Sequence, residues 1–230
     1  MAFSAGRTSA GDVFTGGSAS LSSMVELFEA TDSDLVDMMM IYPAGFNDTT
    51  SASVMNSPTE FAMTTGFLDV MFDNPGEIFG CSNIESKTLT TPFGVGAFAL
   101  SASLVSVDIS LPLGGTWEFV HGNLGALNSG PALAFVRLEA LVRGPGVDVF
   151  YYDTTSGNID IGGLSGLLDP GSYRFTFGAS AQHPDPGDAR GGATPATADF
   201  DFTFRVTEIP GAPAWSLLAV GALAMPRRRR

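Results

Sequence analysis

The sequence is short of the residues that catalysis, metal binding and nucleic-acid binding most often draw on. It has one cysteine, Cys81, which excludes an intramolecular disulfide framework and every multi-cysteine metal site. It has two histidines, His121 and His183, far from the four-residue spacing of a zinc protease. Its one lysine, Lys87, follows Ser86, so there is no phosphate-cradling Gly-Lys-Ser/Thr loop. No G-x-S-x-G elbow occurs. Gly94-Val-Gly96 and Gly144-Pro-Gly146 lack the third glycine of a dinucleotide loop and read as turns. Eleven Lys or Arg stand against 24 Asp or Glu, a formal charge of −13. Nucleic-acid binding rests on bases that neutralise phosphates, so nucleic acid is not an expected partner.

What is present points to a folded all-β chain. Hydrophobic residues make up 44 % of the 230 and charged residues 15 %, the reverse of a disordered composition. Twenty-eight glycines and 14 prolines, with 18 phenylalanines, favour short strands and many turns. The length allows one domain or two small ones.

Alternation marks individual strands. Val105, Val107, Ile109 and Leu111 alternate with Ser106, Asp108 and Ser110, and Trp117 and Phe119 flank Glu118. Leu133 to Val142 is an apolar run broken by Arg137 and Glu139, which share a face. Asp148, Phe150 and Tyr152 alternate with Val147, Val149 and Tyr151. Asp169-Pro170-Gly171 reads as a turn leading into Tyr173, Phe175 and Phe177. That segment resembles the L-x-x-G-x-Y edge of bacterial extracellular β-sandwich modules. Phe200, Phe202, Phe204 and Val206 form a last strand, after a polar loop from His183 to Thr197. Asp32 to Tyr42 and Phe61 to Phe72 fit helical and strand spacing alike; strand is favoured by context, with Asp32 or Ser33 as the N-cap of the helical alternative. The expectation is a flexible segment at 1–23, an antiparallel β-sandwich of jelly-roll type at 24–208, and a separate C-terminal segment at 209–230.

Four of the eleven bases are the last four residues, Arg227, Arg228, Arg229 and Arg230. Residues 1–226 therefore carry 7 − 24 = −17 and the end carries +4. Before these arginines, a proline pair, Pro210 and Pro213, opens an apolar run that includes Trp215, Leu217, Leu218, Val220 and Leu223. As a helix, Ala212 to Met225 reaches about 21 Å, short of a hydrocarbon core of about 30 Å. Snorkelling arginines or a thinned bilayer would close the gap. Arginines on the cytoplasmic side leave residues 1–209 outside.

Proline motif, apolar run and basic stop together resemble the PEP-CTERM sorting signal read by exosortases of Gram-negative bacteria. Ile209-Pro-Gly-Ala-Pro213 stands where V-P-E-P is common, and the resemblance covers about the last 22 residues. It implies an exosortase-type processing enzyme as partner, transient retention in the inner membrane, cleavage near the prolines and delivery to the cell surface or extracellular matrix. Residues 1–23 contain no apolar core of a signal peptide, so the expectation is that translation starts upstream of Met1.

Candidate chemistry is sparse. Cys81 reads as a small loop residue rather than a nucleophile, and His183 as part of a solvated loop rather than a ligand. Glu118, Asp148, Asp153 and Asp160 are the carboxylates available to a glycosidase, but acidic residues on outer strand faces also keep a sandwich soluble. No cofactor is called for. Hard oxygen ligands make Ca²⁺ the metal of suitable chemistry, although residues 153–160 lack the D-x-D-x-D-G order. Tyr151 and Tyr152 are candidates for stacking on a sugar. The expected function is that of a non-catalytic surface or matrix protein in contact with exopolysaccharide, and the alternative is a carbohydrate-binding module, ahead of a glycoside hydrolase.

Overall fold

Successive side chains of a strand point to opposite faces, so a segment that alternates can bury one face and solvate the other. The computed structural model describes residues 13–27, 30–40, 45–57, 60–72, 76–89, 97–127, 131–141, 146–184 and 195–209. These form β1 (Phe14–Leu27), β2 (Ala30–Met40), β3 (Phe46–Ser57), β4 (Glu60–Phe72), β5 (Glu77–Leu89), β6 (Ala97–Leu111), β7 (Gly115–Leu127), β8 (Ala132–Ala140), β9 (Val147–Asp153), β10 (Ile159–Asp160), β11 (Ser165–Leu168), β12 (Gly171–Pro184) and β13 (Ala196–Glu208). A short 3₁₀ turn, Thr154–Ser156, follows β9.

The described residues make two antiparallel sheets packed as a sandwich. One has six strands in the order β2-β1-β6-β12-β8-β9. The other has seven, in the order β10-β7-β13-β5-β4-β3, with β11 also on the edge of β7. The all-β antiparallel sandwich expected from the sequence is therefore present. The ambiguous segments at residues 32–42 and 61–72 overlap strands β2 and β4, and Asp32 and Ser33 lie within β2. The expected C-terminal helix, with Pro210, Pro213, the apolar run and Arg227–Arg230, lies outside the described residues. The N-terminal boundary moves: Phe14 to Ser23, expected to be flexible, belong to β1, whose backbone pairs with β2 on one side and β6 on the other.

Phenylalanine fills the main core. Inward residues of β12 meet those of β13, with the Phe175 and Phe204 rings stacked at 4.2 Å and those of Phe177 and Phe202 edge-to-face at 4.9 Å. Phe119 lies at their centre, within 5.1–6.2 Å of the rings of Trp117, Phe150, Phe175, Phe202 and Phe204. Burying each such side chain stabilises the fold by about 1.5–3 kcal/mol. Gly80 leaves the space that the Phe202 ring occupies, since a Cβ there would stand 2.8 Å from Phe202 Cζ.

Away from this cluster the sandwich interior becomes polar. Ser23, Thr50, Thr64, Ser82, Ser86, Thr88, Ser101 and Ser103 are all buried. Their hydroxyls pair with one another: Ser23 with Thr50 at 2.8 Å, Thr64 with Ser86 at 3.0 Å, and Ser82 with Ser103 at 3.0 Å. Some also donate to backbone, as Ser86 Oγ does to the Ala181 carbonyl at 2.7 Å. A buried hydroxyl without a partner would cost about 1–3 kcal/mol. Among the described residues, no buried side-chain nitrogen or oxygen lacks one. A smaller apolar cluster of Val25, Leu27, Ala52, Ala62, Ala97 and Ala99 is separate from the phenylalanine core.

One lateral edge is closed by side chains. On β3 the amides of Ser51 and Ser53 donate to the Asp34 and Asp32 carboxylates of β2, at 3.3 and 2.9 Å. Charged groups set against edge amides hinder strand addition by another chain.

Candidate functional site

The tyrosine pair lies on β9, the edge of the six-stranded sheet. Adjacent residues must face opposite ways, and here they do. Tyr152 turns inward against the core, its ring stacked on Phe150 at 5.6 Å. Of the two candidate sugar contacts, Tyr152 is thus a packing residue. Tyr151 turns outward and is 47 % exposed.

A β-bulge sets what surrounds Tyr151. Leu138 pairs with Phe150 and Glu139 with Asp148, so Val149 is the extra residue. The bulge puts Asp148 on the outer face together with Tyr151 while Phe150 stays in the core. Arg137, the cross-strand partner of Tyr151, then reaches Asp148 at 2.6 Å and Glu139 at 3.0 Å. Burial and then the Asp153 carboxylate raise the Tyr151 phenol. Asp153 Oδ1 accepts from the Thr155 amide at 2.9 Å and caps the 3₁₀ turn. The Thr155 hydroxyl and then its amide hold the Asp153 carboxyl below its usual range. The Tyr151 ring also lies 6.3 Å from that of Phe135 on the same outer face.

The other sequence candidates are dispersed. Glu118 is bound to Arg205 at 2.7 Å on the seven-stranded sheet, while Asp148 is on the six-stranded one. Asp153 serves as a cap, and Asp160 accepts the Gly162 amide at 2.9 Å. Each carboxylate therefore has a local structural partner; Glu118 and Asp160 belong to the seven-stranded sheet, while Asp148 and Asp153 flank Tyr151 on the six-stranded one. Cys81 is on β5, not in a loop, opposite Asp201 and Asp69. Burial, then Asp201, Asp69 and Asp199, push its thiol up, which disfavours the nucleophilic thiolate. His183 lies within the last paired residues of β12 rather than opening a solvated loop, because β12 stays paired with β6 to Pro184. Its Nδ1 lies 2.6 Å from Thr88 Oγ1. His121 Nε2 contacts Thr203 Oγ1 at 3.1 Å. Among the described residues, no group of three or more His, Cys, Asp or Glu is arranged to hold a metal ion, and no helix is long and apolar enough to cross a membrane.

Sequence reasoning missed Phe135 and Arg137 as neighbours of Tyr151. The signal available was the outward register of β8, in which Phe135, Arg137 and Glu139 share one face; the bulge that adds Asp148 to that face had no sequence signature.

Asp199 offers a test of the seven-stranded face. Its carboxylate occupies space left by Gly125, where a Cβ would lie 2.6 Å from Asp199 Oδ1. Burial raises its pKa above the ordinary 3.8. The ionised form is thus disfavoured in the fold, and stability is lost as pH rises through the raised value. Asp199→Asn is expected to raise the urea midpoint at pH 7, with the gain shrinking towards pH 3. An equal shift at both pH values would contradict this assignment.

No protein-family model matches the chain, and no curated protein matches it.

Proposed function

We propose that the protein is a non-catalytic component of the cell surface or extracellular polysaccharide matrix, exported and then processed at its C-terminal segment. The charge division carries this reading: −17 over residues 1–226 against four terminal arginines. The first suits a soluble acidic surface and the second a cytoplasmic topology stop. The sandwich on this reading is of jelly-roll type, supported by strands β5 to β8 alternating between the sheets. Pro210 and Pro213 mark the processing region, Trp215, Leu217, Leu218, Val220 and Leu223 the transient membrane segment, and Arg227–Arg230 the stop. The partners are an exosortase-type enzyme, the inner membrane and exopolysaccharide, with Ca²⁺ able to bridge acidic surface and acidic polymer. The ion-paired and capping roles of Glu118, Asp148, Asp153 and Asp160 favour a structural use of these carboxylates over hydrolysis.

In host cells producing the chain fused behind an export signal, the wild type is expected in the surface fraction. Replacing all four terminal arginines by alanine is expected to lower that fraction several-fold. Equal surface delivery of both would count against the reading.

A carbohydrate-binding role is the second reading, favoured by the outward Tyr151 beside the Phe135 ring.

A further inference from the structure

We infer that Tyr151 and Phe135 form the floor of a binding subsite for a neutral, hydroxyl-rich glycan chain; this rests on the carbohydrate-binding reading and gives it a place and a ligand class. An exposed aromatic normally loses rotamer freedom when it binds. Tyr151 already has ordered neighbours: the Phe135 ring lies 6.3 Å away, and its strand partner Arg137 is fixed by Asp148 and Glu139. The ring therefore stands among ordered neighbours and is 47 % exposed.

The floor extends across the sheet. Phe135 and Leu104 are the cross-strand neighbours of Gly178 on its two sides. With no side chain at Gly178, the Phe135 ring can lean across it: a Cβ there would be 3.2 Å from Phe135 Cε1. Leu104, 47 % exposed, continues the apolar surface beyond. Two tilted rings 6.3 Å apart followed by an aliphatic side chain present a row of apolar contacts. Such a row matches the apolar faces of successive sugar rings in an extended chain.

The rim decides the class of glycan. Asp108, Glu139 and Asp148 pair with Arg137 and Arg174 here, and Asp153 stands near Tyr151, which gives 2 − 4 = −2. Both arginines are engaged by carboxylates, Arg174 with Asp108 at 2.9 Å. An anionic uronate polymer meets repulsion, whereas the hydroxyls of a neutral sugar find carboxylate acceptors. Charge-assisted bonds of that kind are the stronger ones.

The test is calorimetric titration of the full chain with cellohexaose, xylohexaose and mannohexaose, and with polygalacturonate as the anionic counterpart. At least one neutral oligosaccharide is expected to bind, and polygalacturonate is expected to bind at least ten-fold more weakly. Tyr151→Ala and Phe135→Ala should each weaken binding about ten-fold, as expected for the loss of one stacking contact. Tyr151→Phe, which keeps the ring, should stay within about three-fold. Thermal melts of each variant verify folding, and Tyr151→Phe keeps the test decisive if Phe135→Ala is unstable. Failure of all three neutral probes, or unchanged affinity in Tyr151→Ala, overturns the subsite. If the glycan still binds in Tyr151→Ala, the carbohydrate-binding reading survives and this location does not.

Discussion

Phe119→Ala is expected to destabilise the sandwich by about 3–5 kcal/mol, the range for truncating a buried aromatic. The side chain is fully buried and its ring is surrounded by five others from β7, β9, β12 and β13. These rings belong to both sheets, so neither sheet can shift to fill the space without disturbing its own ladder. Deletion therefore loses the transfer free energy and leaves a cavity. For a domain of this size each kcal/mol corresponds to about 2–4 °C, so the melting temperature should fall by about 10 °C. Val120→Ala is the control. Val120 is the bulged residue between the pairs Thr203–His121 and Phe204–Phe119, and it is 47 % exposed. Its truncation should change stability by about 0.5 kcal/mol or less. Equal effects at the two positions would contradict the inward register of β7.

Gly178→Ala should cost about 3 kcal/mol despite adding a single methyl group, at the upper end for overpacking. The new Cβ would lie 2.4 Å from the Ser103 carbonyl oxygen, a backbone atom that no rotamer change can move. β12 is paired on both sides, with β6 and β8, so relief requires opening one of the two ladders. Gly16→Ala provides the contrast, because nothing lies within 4 Å of its added Cβ and replacing glycine by alanine lowers the entropy of the unfolded chain. Urea denaturation of both variants should show a large loss for the first and no loss for the second. A Gly178→Ala protein as stable as Gly16→Ala would mean that β12 is not held between its neighbours as described.

The strands that the sequence reveals are those whose inward residues are large. Tyr173, Phe175 and Phe177, or Phe200, Phe202 and Phe204, announce their face by hydropathy alone. β1 and β3 do not, and the hydroxyl layer is the reason. In β1 the buried positions Ala19, Leu21, Ser23, Val25 and Leu27 include a serine. In β3 the buried residues after Phe46 are Thr50 and Ala52. A serine that faces the core looks in sequence like a serine that faces water. Only its pairing with Thr50 and Ser101 from other strands reveals the difference. This is why Phe14 to Ser23 read as a flexible segment. Tyr151 was legible as one of two tyrosines facing opposite ways, but the choice between them needed the register of β9 on β8. Its setting needed the bulge at Val149, an insertion in pairing that leaves no pattern in the sequence itself.

The acidic sandwich and the basic end have different fates on the proposed function, and mass separates them directly. Protein recovered from the host cell surface should be measured intact by mass spectrometry. A C-terminus near Pro210–Pro213 is expected, with Arg227–Arg230 removed, so that the mature chain is more acidic than −13. Surface protein that ends at Arg230 would contradict the account.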